Sequence, residues 1–138
     1  MQIAIIGGGI GGLALALYLE RLGIPATIYE AGIGFSELGV GINLQPHAIR
    51  TLAELGLYDA LAKVACEPTE TVFLNRHGQL LHRETLGRTA GYRWPQFSIH
   101  RGDLHDAMRK AVEDRLGSNA ILMGYRCRRI DEDADGVH

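Results

Sequence analysis

The first thirty residues, MQIAIIGGGIGGLALALYLERLGIPATIYE (Met1–Glu30), decide the fold. QIAII at 2–6 is a short apolar, partly β-branched run that stops at glycine, the pattern of a strand buried on both faces. From Ile10 to Leu22, the residues Leu13, Leu15, Ala16, Leu17 and Leu19 supply apolar faces. Glu20 and Arg21 sit at the wet end, and Gly23 is a natural stop for a helix. ATIYE at 26–30 makes a second strand. Strand, glycine turn, helix and strand within about thirty residues form a right-handed βαβ unit, the seed of a parallel α/β sheet. The same stretch is apolar enough to suggest a signal peptide or membrane span. It lacks a basic leading region, however, and glycines interrupt the apolar run, so it reads as folded structure.

Beyond this unit, Pro46 suits the first turn of a second helix, on which Ile49, Leu52, Ala53 and Leu55 share a face before Gly56. A shorter helix follows over Leu57–Val64. TVFLN at 71–75 and QLLHR at 79–83 read as a β-hairpin with Gly78 at the turn. Residues 85–94 read as a loop. Gln96–His100 alternates polar Gln96, Ser98 and His100 with apolar Phe97 and Ile99, which is a half-buried strand. Leu104, Ala107, Met108, Ala111, Val112 and Leu116 recur at helical spacing between Asp103 and Gly117. AILMG at 120–124 is the next parallel strand. RCRRIDEDADGVH at 126–138 is expected to give one strand, an acidic turn over Asp131–Gly136 and the start of another strand.

Composition narrows the class. Of 138 residues, 46% are hydrophobic and 22% charged, and the net charge is −2; this describes a globular chain without the basic face that nucleic acid requires. Cys66 and Cys127 are far apart and outside any CxxC spacing, so they are expected to be small buried thiols in a reducing, cytoplasmic setting. His77 with His82, and His100 with His105, are spaced for neither a helical nor a same-face strand pair, so no metal site is expected. No serine occupies a nucleophile elbow.

The eighteen glycines are clustered. Gly7, Gly9 and Gly12 form a GxGxxG that follows a strand, opens a helix and is succeeded by an acidic residue, Glu30, at the end of the next strand. Gly7 permits the tight turn, Gly9 lets the backbone approach a pyrophosphate, and Gly12 with Ala16 lets helix and strand pack closely. The helix N-terminus then faces the phosphates. Glu30 stands where a carboxylate accepts hydrogen bonds from a ribose diol and repels a 2′-phosphate, so the residues themselves point to FAD or NAD. A second glycine-bearing stretch, ELGVGINLQPHA at 37–48, calls for its own explanation.

IAIIGGGIGGLALALYLERLGI with Glu30, LGVGINLQPHAIRTLAELGL at 38–57 and FSIHRGDL at 97–104 together resemble the FAD-dependent aromatic monooxygenases of the salicylate and 6-hydroxynicotinate hydroxylase type. GVGINLQP and PQFSIHRGDL lean toward the phenazine-modifying branch. The resemblance runs over essentially the whole chain. It implies a Rossmann-like FAD-binding βαβ sheet with β-hairpin insertions, the N-terminal part of a two-domain flavoprotein. Residues 1–138 would be the N-terminal portion of the FAD-binding domain, and members of the family are well over twice this length. The fragment by itself is therefore expected not to hydroxylate.

The resemblance also assigns roles. Gly7, Gly9, Ile10, Gly11 and Gly12 would hold the phosphates, with Glu30 and the adjoining Ala31 toward the ribose. The second glycine loop would pass beside the isoalloxazine ring, so that Val40, Gly41 and Asn43, with Ile42 between them, offer backbone to the flavin. Arg101 would reach toward the pyrophosphate or ribose, and the main chain at Cys127 would lie near the adenine. The hydroxynicotinate branch carries its catalytic base, a histidine, where Asn43 stands; an amide cannot abstract a proton, so no catalytic residue is assigned. His47 reads as a helix-face residue. The Arg-Gly-Asp at 101–103 reads as a chance tripeptide at a strand-to-helix junction, and the Asp-Gly at 135–136 as part of an acidic turn.

The implied chemistry is reduction of FAD by NADH or NADPH, formation of a flavin hydroperoxide with O2 and oxygen transfer to a small aromatic substrate. No nucleic acid or membrane would take part, and the oligomeric state is left open. An NAD-dependent dehydrogenase and a non-catalytic dinucleotide-binding module are the alternatives.

Overall fold

A computed structural model of the chain describes residues 3–34, 39–133 and 136–137. In chain order its elements are β1 (Ile3–Ile6), α1 (Ile10–Arg21), β2 (Ala26–Glu30), β3 (Gly41–Leu44), α2 (Pro46–Glu54), α3 (Tyr58–Ala62), β4 (Glu70–Leu74) and β5 (Leu80–Thr85). A 3-10 turn (Gly87–Ala90), β6 (Phe97–His100), α4 (Arg101–Leu116), β7 (Ile121–Met123), β8 (Glu132–Asp133) and β9 (Gly136–Val137) complete it. The chain divides into two compact units, Met1–Ser36 with Met108–His138 and Glu37–Ala107.

In the first unit the expected βαβ is present. β1 pairs in parallel with β2, Ile5 opposite Ile28, and β2 pairs in parallel with β7, Ile28 opposite Ile121, giving the order β1-β2-β7. The middle strand earns its place through Ile28, which is almost fully buried. β1 is not buried on both faces as its apolar run suggested: only Ile5 is buried, and Ile6 is 55% exposed. The physical reason is alternation along the strand: Ile5 points to the face where α1 packs at Gly12, whereas Ile6 points to the opposite face. On α1, Leu13, Ala16, Leu17 and Leu19 are buried while Leu15 is exposed, so the helix buries one stripe rather than every apolar residue. Gly23, at φ +69, ends it in the left-handed conformation that a side chain would disfavour.

In the second unit, part of the expected glycine loop is a strand. β3 runs antiparallel to β6, with Gly41 opposite His100, Asn43 opposite Ser98 and Leu44 opposite Phe97. Leu44, Phe97 and Ile99 are buried, whereas Gly41, Asn43 and His100 are exposed, so the pair shows one apolar and one polar face. Gln96 departs from the expected alternation: it is buried, at 5% exposure. Ile49, Leu52, Leu55, Leu57 and Leu61 are buried along α2 and α3. The hairpin of β4 and β5 closes with Gly78 at φ +77 and an Asn75 side chain that accepts from the His77 and Gln79 amides.

The segment expected as a loop at 85–94 instead contains the 3-10 turn, and side chains brace it. Arg88 donates to both carboxylate oxygens of Glu67 and to the Tyr58 hydroxyl, and the Tyr58 ring packs against Trp94 and Phe97. The Tyr58 hydrogen bond, followed by the charge of Glu67, raises the Arg88 guanidinium above its already high pKa. Protonation is thus fixed across any working pH. Because the cluster is solvent-exposed, Tyr58→Phe, which keeps the ring and drops the hydroxyl, is expected to cost less than about 1 kcal/mol in a denaturant titration.

Two further expectations are corrected. Cys66 and Cys127 are both exposed rather than buried. Cys66 exchanges backbone hydrogen bonds with Ser98 at a sheet edge, and Cys127 lies in an irregular stretch, so neither has a core to enter. The strand expected over 126–130 is absent. That run carries Arg126, Arg128 and Arg129 with little to bury, and β8 and β9 pair two residues each just beyond it. Among the described residues no helix is long and apolar enough to cross a membrane, and no cluster could hold a metal ion.

Candidate functional site

The glycine turn between β1 and α1 is built for close approach. Gly7 sits at φ +102 and its amide donates to the Tyr29 carbonyl at 2.9 Å, which pulls the turn over the end of β2. A Cβ on Gly12 would collide with the Gly7 carbonyl oxygen and press on Ile5. Around Gly9 and Gly11, by contrast, a Cβ would meet nothing within 4 Å, so bare backbone faces open space there. The first bond inside α1 runs from the Leu13 amide to the Gly9 carbonyl at 3.0 Å, leaving the amides before it without an intrahelical partner. Gly9 caps the helix with no side chain, and its first turn carries no acidic residue. Backbone donors, the positive end of the helix dipole and unobstructed space together suit a phosphate group.

Glu30 ends β2 beside this turn. One carboxylate oxygen accepts the Gly8 amide at 2.7 Å and the other accepts the Gly32 amide at 2.7 Å. The expected ribose acceptor is thus also hydrogen-bonded to the glycine turn. Gly8 and Gly32 were not singled out by sequence reasoning; the cluster of glycines after Glu30, in EAGIG, was the available signal. Ala31 is half-buried in the bend between them. The Glu30 carbonyl accepts from the Tyr125 amide and the Gly32 carbonyl from the Gly124 amide, both at 2.8 Å, so the chain after β7 braces this bend. Cys127 follows, exposed, its thiol 3.8 Å from the Arg129 carbonyl.

In the second unit, Val40, Gly41 and Asn43 lie at the start of β3 and along it. Val40 is exposed, and a Cβ on Gly41 would meet nothing within 4 Å. The Asn43 amide oxygen accepts from the Ser98 hydroxyl at 2.7 Å, a cross-strand bond that no sequence pattern announced. Arg101 is exposed at the first turn of α4, its backbone amide donating to the Val40 carbonyl at 3.0 Å. His47 is exposed on α2, as expected of a helix-face residue.

A family model described as FAD binding domain matches residues 1–138. This chain belongs to that family. Among curated relatives, it is 39% identical over 137 residues to the phenazine 1,6-dicarboxylic acid hydroxylase PhzS of Lysobacter antibioticus, covering 99% of this chain and 34% of the relative. It is 40% identical over 142 residues to a salicylate hydroxylase of Pseudomonas putida, covering 99% and 31%. Among solved structures, HpxO of Klebsiella pneumoniae complexed with FAD and uric acid superposes with a TM-score of 0.80 at 29% identity, over 99% of this chain and 34% of that one. The chain therefore spans about a third of the length of the relatives it matches. The expected fold class, an α/β Rossmann-like FAD-binding domain of the aromatic monooxygenase type, holds, and FAD is the cofactor of the family. The glycine turn fits that group: its open backbone, side-chain-free helix start and neighbouring carboxylate are what a dinucleotide's phosphates and ribose require.

Proposed function

We propose that this chain is the N-terminal portion of the FAD-binding domain of a cytoplasmic monooxygenase that hydroxylates a small aromatic or heteroaromatic substrate, of phenazine type or similar. The observation that carries the reading is the GxGxxG turn with Gly9 and Gly11 open to space and Glu30 alongside, in a chain of the FAD-binding family. Bound FAD, reduced by NADH or NADPH, supplies activation of O2 and transfer of one oxygen atom to the ring.

The residues here bind and orient. Backbone amides at Gly9, Ile10, Gly11 and Gly12 hold the phosphates, and Gly7 shapes the turn. Glu30 accepts from the ribose hydroxyls, with Ala31 beside it and the Cys127 main chain toward the adenine. In the second unit, the bare backbone at Val40 and Gly41 suits the flat ring, where a side chain would obstruct approach. Arg101 suits an anionic or polyhydroxyl part of the cofactor through its several fixed donors. Asn43 does not act as a base; its amide, held by Ser98, can only donate or accept hydrogen bonds.

The purified complete gene product is expected to be yellow. Heat release followed by chromatography is expected to yield FAD; recovery of NAD alone, or of FMN, would overturn the assignment, and NAD would favour a dehydrogenase. With NADH or NADPH and candidate aromatic acids or phenazines, it is expected to form hydroxylated product. Residues 1–138 alone are expected to divert any electrons to free peroxide, because water exclusion around the ring needs more enclosure. Coupled hydroxylation by the 138-residue chain would refute that part of the reading.

A further inference from the structure

We propose that Glu30 is a positioning residue for the phosphate turn in addition to its ribose role, so that one carboxylate couples the ribose and diphosphate subsites. The inference rests on reading this turn as the diphosphate site. Residues 7–9 are consecutive glycines, and Gly11 and Gly12 follow. Such a turn has no side chain with which to hold its own shape, and glycine gives up more conformational freedom than any other residue when it is fixed. The Glu30 carboxylate supplies a side-chain hydrogen bond to the turn's backbone, reaching back twenty-two residues to the Gly8 amide at 2.7 Å. Gly8 is buried, and a buried amide left unmet is costly.

The other carboxylate oxygen fixes the reach. It accepts the Gly32 amide at 2.7 Å, and Gly32 is itself tied through its carbonyl to the Gly124 amide. A Cβ on Gly32 would lie 3.3 Å from that carboxylate oxygen and 3.1 Å from the Gly34 carbonyl. An alanine at Gly32 would therefore press on both the Gly34 carbonyl and the Glu30 carboxylate, and would push the carboxylate off its position by a few tenths of an ångström without altering its charge. A negative charge beside an anion site is otherwise unfavourable, since it repels the ligand the helix end attracts. The two amide bonds, together with the ribose contact, offset that repulsion.

This opposition fixes the sign of the test. If Glu30 serves only the ribose, Glu30→Gln weakens ADP but leaves inorganic pyrophosphate unchanged or bound more tightly, because a repelling charge has gone. If Glu30 positions the turn, pyrophosphate binding weakens as well. The measurement titrates the 138-residue chain and its variants with ADP and with inorganic pyrophosphate, and follows hydrogen exchange of the Gly8 amide without ligand. Expected is a loss for pyrophosphate of about tenfold in Glu30→Gln, the worth of one charge-assisted hydrogen bond. Gly32→Ala is expected to shift pyrophosphate the same way at constant charge. In both variants the Gly8 amide exchanges faster while the Ile5 amide, inside β1, keeps its protection and reports that the sheet is intact.

Unchanged or tighter pyrophosphate binding in Glu30→Gln, or unchanged Gly8 exchange in both variants, overturns the proposal. If Glu30→Gln does not fold, Gly32→Ala decides by the same two readouts. If the unaltered chain binds neither ADP nor pyrophosphate, the dinucleotide reading itself fails; Gly8 exchange in the variants then separates that failure from failure of the carboxylate tie.

Discussion

Replacing Gly12 with alanine is expected to abolish measurable FAD binding and to lower stability by about 3 kcal/mol, the upper part of the usual overpacking range. The added methyl would sit inside the Gly7 carbonyl oxygen and against the Ile5 side chain. Neither neighbour yields cheaply. The carbonyl is backbone, held because the Gly7 amide is bonded to Tyr29 across the sheet, and Ile5 is the one buried residue of β1. To admit the methyl, α1 must shift away from β1, and that shift carries the helix N-terminus out of register with any phosphate it faces. Chemical denaturation and FAD titration of the purified variant measure the two effects. Near-normal FAD affinity in Gly12→Ala would show that the turn is not the phosphate cradle. Gly11→Ala is the contrast: its methyl meets nothing within 4 Å and no positive φ is involved, so folding should be nearly unaffected and any loss of FAD binding would come from the ligand side.

Gly87→Ala is expected to cost a similar amount, about 3 kcal/mol, from two additive sources: a left-handed backbone that alanine resists and a methyl forced into packed chain. Gly87 has φ +50, and its Cβ would come within 2.5 Å of the Gln96 backbone nitrogen and 3.1 Å of the Pro95 carbonyl carbon. Pro95 and Gln96 are themselves buried immediately before β6, so they have little room to retreat. A shifted unfolding midpoint with an unchanged denaturant slope would confirm a pure loss of native stability; a midpoint equal to the parent's would show that this turn relaxes freely. Gly91, also at positive φ but with open space around its Cβ, should suffer only the backbone part.

What could be read from the sequence was what is local. The β1–α1–β2 boundaries, the stops at Gly23, Gly56 and Gly117, and the parallel strand ending at Met123 all follow from periodicity and from glycine's access to positive φ. What could not be read depends on partners distant in the chain. The apolar run at 3–6 is the same whether one face of the strand is covered or both, so Ile6 exposed to 55% could not be foreseen. Gln96 looks outward-facing until the 3-10 turn lies against it, and GRTA carries too few apolar residues to announce that turn. The glycine loop at 39–44 turned out to be half strand because its partner, Phe97–His100, lies more than fifty residues later. For the candidate site, residue types and spacing named the turn and its acidic companion. They did not show that the companion is hydrogen-bonded to the turn, since a carboxylate's partners are set by where the bend after β2 carries Gly32.

The strand order β1-β2-β7 has a consequence for how the molecule comes into being. β1 and β2 meet after only a short helix, whereas Ile28 waits for Ile121, much later in the sequence. Closure of a long loop is entropically slower than closure of a short one, and non-local pairing delays folding. During synthesis, the first pair with its helix can therefore take shape soon after Glu30 has left the ribosome, while the other flank of β2 stays open until Ile121 has been made. Throughout that interval Ile28, almost completely covered in the finished protein, lacks its neighbour. The nascent polypeptide is then most exposed to mispairing and to chaperone capture, and slowing translation between codons 30 and 120 should lengthen that window, readable as increased protease nicking of ribosome-bound chains.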